Sequence, residues 1–370
     1  MKPILLIINT PPPYQGSTIM NKLLIDCLAM EKIAFIHRKV ESAKELDNLG
    51  KLNLEKLKSG LSILGSILRD RKKFDIAYLV MSVEGFAFYR HALFILLLQL
   101  LGKKYILHLR SLGFHKKHGL SRIFTQRLFK KAFLIQHSPH NQFDIQGYQS
   151  RKLFFVPNGW NDQYECYKDK IDNRLSTIPD TTEIIFLSNL FPDKGLFTVL
   201  RSIVILRDQS PERPISMRWN FVGKWDSEST QKEFYKFIEE HKISSYIGHV
   251  GPLYNEEKYE FLSKMDILVF PTYYKRETWG NVILEAMMFK IPVVATDYVS
   301  IPEMVKHGIN GYLVKKEDAN ALAEYVSELS TNHEKRRKFG ENGRELFVCN
   351  FTHDKFQKNM ISVLKEVSHV

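Results

Sequence analysis

Two carboxylates, Glu277 and Glu285, bracket the stretch Thr-Trp-Gly-Asn-Val-Ile-Leu. The apolar residues after Gly280 have the make-up of a helix start, which puts Glu277 on the loop before the helix and Glu285 on the helix itself. A helix opened by Gly280, Asn281 and Val282 presents backbone N–H groups and the positive end of its dipole, the chemistry a diphosphate needs. Glu285 then stands where ribose hydroxyls can donate to it, and Glu277 where a sugar can be held. Taken alone, such a pair is more often a loop acid followed by an ordinary helix glutamate.

The setting changes that balance. Upstream runs Asp266-Ile-Leu-Val-Phe-Pro271-Thr272, a strand pattern ending at proline, and downstream runs Ile291-Pro-Val-Val-Ala-Thr-Asp297, a second strand after a turn. Together these stretches resemble the donor-binding signature of the family 4 retaining glycosyltransferases of the GT-B fold, the glycosyl transferases group 1. The likeness extends back through Phe221-Val-Gly-Lys224 and Ile247-Gly-His-Val-Gly251, and forward through Ile301-Pro-Glu303 and Gly308-Ile-Asn-Gly311. It covers essentially all of residues 183–348.

The resemblance assigns further residues. Phe186 to Gly195 is similar to the family's Gly-Arg-Leu…Lys-Gly segment, so Lys194 is expected to neutralise the donor diphosphate, with Asn189 standing where an arginine is usual. Arg110 is a candidate for the missing cation. Gly16-Ser17, after the first strand and before a helix, resembles the family's glycine-rich loop, where backbone approaches the donor phosphate and the acceptor. His108, at the end of Tyr105-Ile-Leu-His-Leu, resembles the histidine that faces the sugar from the first domain. The resemblance implies sugar transfer with retention, in which Glu277 positions and stabilises instead of forming a covalent adduct. No Asp-x-Asp pair sits at the expected strand end and no His/Cys cluster has metal spacing, so neither metal nor cofactor is expected.

Positioning these residues requires two α/β domains. In the first half, apolar strand-like runs (4–8, 34–40, 76–81, 105–109, 133–136, 153–156) alternate with helix-length segments, and the pattern restarts at 184–187 and continues through 217–222, 247–250, 267–270, 292–295 and 312–314. Strands apolar throughout and separated by helices imply parallel sheets covered on both faces. The expected architecture is two Rossmann-like domains with a cleft between them: 1–157 on the acceptor side, a linker at 158–182, the nucleotide-sugar domain at 183–350, and a last helix at 351–370 returning to the first domain.

Bulk properties narrow the class. A chain of 370 residues exceeds one ordinary core, and 44% hydrophobic with 25% charged residues is a globular composition. Three cysteines, Cys27, Cys166 and Cys349, exclude a disulfide framework and fit a reducing, cytoplasmic setting. The net charge of +12 is lopsided, since residues 1–157 hold 25 Lys+Arg against 10 Asp+Glu. A basic first domain suits a lipid-linked or glycan acceptor at an anionic membrane surface. With no nucleic-acid motif, nucleic acid is not an expected partner. Two other readings stay open: a GT-B nucleotide-sugar epimerase or hydrolase, and a non-catalytic donor-binding subunit.

Overall fold

The computed structural model describes residues 2–12, 16–40, 54–209 and 216–370, apart from the side chains of 54–57. The chain forms two compact units, residues 1–159 together with 353–370, and residues 160–352.

The first unit is built on six parallel strands: β1 (Ile4–Ile8), β2 (Phe35–Lys39), β3 (Ile76–Met81), β4 (Lys104–Leu109), β5 (Phe133–Gln136) and β6 (Lys152–Phe155), in the order β2-β1-β3-β4-β5-β6. Every residue of β1 and β5 is buried, whereas the edge strands β2 and β6 are partly open. Fully apolar runs form the interior strands because both sheet faces are covered. Helices α1 (Gly16–Met30), α2 (Leu54–Asp70), α3 (Gly85–Leu100) and α4 (Gly119–Phe129) make the crossovers. The connections through α2, α3 and α4 all step the same way along the sheet, so right-handed crossing puts these three helices on one face. The connection through α1 steps back, which puts it on the other.

The second unit begins with α5 (Tyr164–Ser176) and then repeats the plan: β7 (Thr182–Leu187), α6 (Leu196–Gln209), β8 (Met217–Val222), α7 (Glu228–Glu240), β9 (Ile247–Gly251), α8 (Asn255–Leu262), β10 (Ile267–Phe270), α9 (Asn281–Met288), β11 (Val293–Thr296), α10 (Ile301–Met304) and β12 (Gly311–Val314). Its parallel sheet has the order β12-β11-β10-β7-β8-β9. Helices α11 (Ala319–Thr331) and α12 (His333–Asn350) complete it, and α13 (His353–His369) packs on α1 in the first unit.

One stretch departs from expectation. Within 158–182, read as linker, α5 forms a helix of the second unit. Its polar sequence conceals the reason: the Arg174 guanidinium is buried and donates to the carbonyls of Ser263, Met265, Phe289 and Lys290. Four long-range carbonyls, none visible in local sequence, hold the helix down. The chain passes between units at Gly159/Trp160 and again at Thr352/His353.

Candidate functional site

In the second unit the strand order reverses between β7 and β10, which pair directly. Loops leaving such a switch point diverge and open a crevice at the strand C-termini. The loop after β7 carries Asn189 and Lys194; the loop after β10 carries Glu277 and leads into α9.

Lys194 ends a short turn and is followed by Gly195 at φ +87°. A Cβ on Gly195 would lie 2.3 Å from the Pro271 carbonyl oxygen, so only glycine lets the two loops touch. That approach brings the Lys194 ammonium to 2.5 Å from the Glu277 carboxylate, both largely buried, with the Tyr274 ring 4.9 Å from the cation. Asp193 helps fix the pair by accepting the Tyr273 N–H at its carbonyl. Asn189 is exposed, and its own carbonyl takes the Phe191 N–H.

Gly280 caps α9, packed so closely that a Cβ would meet Phe270 and Ile283 at 3.0 Å. The expectation of an open N–H at Asn281 needs correcting. The Asn281 N–H goes to the Trp279 carbonyl and the Ile283 N–H to that of Gly280, because the entry to the helix is a tight turn. Asn281 and Val282 are half-buried, and Glu285 is buried.

Sequence reasoning missed the partner of Glu285. Lys258, on α8, places its ammonium 2.5 Å from the Glu285 carboxylate. Burial alone would lower the Lys258 pKa, but the charge of Glu285 and its hydrogen bond raise it on balance, so the ammonium keeps its charge. The Lys258 ammonium sits 5.1 Å from the Tyr259 ring, and the Tyr259 hydroxyl accepts the Trp160 indole N–H at 3.2 Å.

The first unit gathers its own candidates. Arg110, buried just past β4, donates to the Ser17 carbonyl and to Asn21 Oδ1, both at 3.0 Å, and Asn21 in turn donates to the Asn9 carbonyl after β1. Gly16 is exposed at the start of the same helix. His108 is fully buried, with Nδ1 2.6 Å from the Tyr78 hydroxyl and its ring 5.2 Å from that of His137. Burial, reinforced by Arg110 and His137, drives the His108 pKa well below 6.5, and burial pushes the Tyr78 phenol up. A neutral ring accepting from Tyr78 at Nδ1 carries its proton on Nε2, which has no hydrogen-bond partner among the described residues. Sequence does not single out Tyr78, Asn21 or His137, although a histidine just past a strand end is the same signal that draws attention to His108.

Among the described residues, no group of three or more His, Cys, Asp or Glu side chains could hold a metal ion.

This fold recurs in known proteins. Sucrose-phosphate synthase from Thermosynechococcus elongatus superposes with a TM-score of 0.73 at 19% identity, covering all of both chains. The Anabaena protein HepE, solved in complex with UDP and glucose, does so with 0.72 at 15% identity over 99% of this chain and 100% of that one. The fold is GT-B. By sequence, the capsular polysaccharide biosynthesis glycosyltransferase CapM of Staphylococcus aureus is 25% identical over 186 residues, 50% of this chain and 46% of CapM. Several other relatives are also matched over about half of their length. The family model for glycosyl transferases group 1 matches residues 168–346, a span that includes Lys194, Lys258, Glu277 and Glu285. The match lies within the second unit and spans just under half of the chain.

Proposed function

We propose that this chain is a retaining, metal-independent glycosyltransferase that moves a sugar from a UDP- or GDP-linked donor to a glycan or lipid-linked acceptor in surface polysaccharide synthesis, working at the cytoplasmic face of a membrane. The observation that carries the reading is the Lys194–Glu277 pair at the β7/β10 switch point, beside the start of α9 and the buried Glu285.

Each group has a task. Lys194 takes up the charge that appears on the diphosphate as the anomeric C–O bond breaks. The start of α9 at Gly280, Asn281 and Val282 lies against the phosphates and meets them through the helix dipole, the Asn281 N–H being already taken, and Glu285 accepts from the ribose hydroxyls. In the first unit, Arg110 holds the Ser17 end of the loop assigned to phosphate, and the buried His108 keeps the Tyr78 hydroxyl beside it. The acceptor hydroxyl attacks the anomeric carbon and gives its proton to the departing phosphate oxygen. Glu277, charge-neutralised by Lys194, is a poor nucleophile, which favours a positioning role over a covalent glycosyl-enzyme. HepE, solved with UDP and glucose, and CapM, named for capsular polysaccharide biosynthesis, support the donor class and the pathway type.

The test is to incubate the protein with UDP- and GDP-sugars and candidate polyprenyl-linked acceptors in the presence of chelator, reading nucleotide release and the anomeric configuration of the product by NMR. An axial donor giving an axial product, with undiminished rate under chelation, supports the reading. Inversion, or complete dependence on added metal, refutes it.

A further inference from the structure

We propose that the outer face of α3 and α4 is a docking surface for an anionic lipid bilayer. A helix at the rim of a domain ordinarily turns polar residues outward. On α3, however, the outward stripe is Tyr89, Leu93 and Leu100, with Leu93 55% exposed and Leu100 83%. On α4, Leu120 and Ile123 are likewise outward, with Ile123 68% exposed.

These stripes adjoin. Phe88 on α3 meets Phe124 on α4 edge to face at 6.2 Å, and the Gln99 amide of α3 donates to the Arg127 carbonyl of α4. Isolated surface apolar residues are commonplace, but rows on two neighbouring helices form one patch.

Charge selects the occupant. From Ile76 to Lys131 the chain holds ten Lys or Arg and a single carboxylate, Glu84. Continuing the α4 stripe beyond Ile123 come Arg127, Lys130 and Lys131, all exposed. At the other end Lys117 caps the Phe88 ring at 3.8 Å. An apolar patch ringed by cations repels a second copy of itself and attracts an anionic interface, where leucine and tyrosine enter the headgroup boundary while lysines meet phosphates. Each basic residue near such a surface strengthens partitioning about fivefold. Among the described residues no helix is long and apolar enough to cross a membrane, so the contact is one of lying on the surface.

None of the residues varied below is assigned to the donor, so the two readings fail separately. The full chain is floated with vesicles of phosphatidylcholine alone and of phosphatidylcholine with phosphatidylglycerol, at low and high salt. The variants are Leu93→Glu/Ile123→Glu, Lys130→Glu/Lys131→Glu, and Val348→Glu as a control on an exposed apolar residue of the second unit. We expect flotation only with the anionic vesicles, about tenfold weaker in Leu93→Glu/Ile123→Glu, at least about 25-fold weaker in Lys130→Glu/Lys131→Glu, unchanged in the control and reduced by salt. Circular dichroism and nucleotide calorimetry should be the same for all four proteins. Flotation indifferent to lipid charge and to the variants overturns the proposal. So does a dimer by light scattering that Leu93→Glu/Ile123→Glu converts to monomer, since the patch then binds a second copy.

Discussion

Lys194 and Glu277, 83 residues apart in sequence, meet at 2.5 Å across two loops that leave neighbouring strands in the middle of the second sheet. Each is the other's counter-charge before donor arrives. On the proposed reading, a diphosphate entering beside Lys194 would share the ammonium and release Glu277 towards the sugar. Lys194→Met should lower kcat by about 10²–10³, as loss of one group stabilising developing charge does elsewhere. Glu277→Gln keeps the shape and should retain nucleotide binding while losing turnover. Steady-state kinetics with separate kcat and KM checks both, and a Lys194→Met enzyme with normal kcat would sink the assignment.

Lys258 makes a sharper test, because it carries no family-level expectation. Lys258→Met leaves the buried Glu285 carboxylate without its counter-charge and should cost about 3 kcal/mol in urea unfolding. Nucleotide affinity should fall with it. Adding Glu285→Gln to Lys258→Met should recover most of the stability but none of the affinity, a separation that a purely structural pair would not give.

Gly195 is where the loop geometry depends on one missing atom. Gly195→Ala sets a Cβ against the Pro271 carbonyl and strains a left-handed backbone, so about 2 kcal/mol of stability should be lost and the Lys194–Glu277 contact displaced. Gly308, also at positive φ but with open space around it, is the control: its alanine variant should bind nucleotide normally. Equal behaviour of the two variants would rule out this role for Gly195.

The first unit should be acid-sensitive. His91 and His137 are each held at about 3, chiefly by burial and then by Arg90 and Arg110 respectively, and His108 is displaced in the same direction. Unfolded histidines titrate near 6.5, so between that value and 3 the unfolded chain binds more protons. Stability from these groups is complete above about pH 6.5 and declines as pH falls below it, by about 1.4 kcal/mol per pH unit per group. Urea midpoints at pH 8 and about pH 5.5 should show the loss before carboxylates begin to titrate. A flat profile would mean the rings are open to solvent.

Much of the fold is legible in the sequence, for identifiable reasons. Runs such as Ile4–Ile8 and Ile267–Phe270 read as buried strands because no other element hides every residue of so short an apolar segment. Glu277 and Lys194 stand out by their place beside strand ends. The helix at Tyr164–Ser176 does not, since only Tyr164 and Ile171 are buried in it and its anchor is one arginine reaching distant carbonyls. Lys258 reads as a solvated lysine after two glutamates, and only the packing of α8 beside α9 turns it inward. Helix N–H groups at Asn281 are expected open because sequence does not reveal a turn that folds back on itself.

The most direct measurement is calorimetric titration with UDP, GDP and ADP, in excess chelator, of the wild-type chain and of Glu285→Ala. Tight binding of one nucleotide without metal, weakened severely in the variant, is the expected outcome. A folded wild-type protein that binds none of the three, or a variant that binds equally well without Glu285, would contradict the claim that the β7/β10 switch point of the second unit is a nucleotide-sugar site.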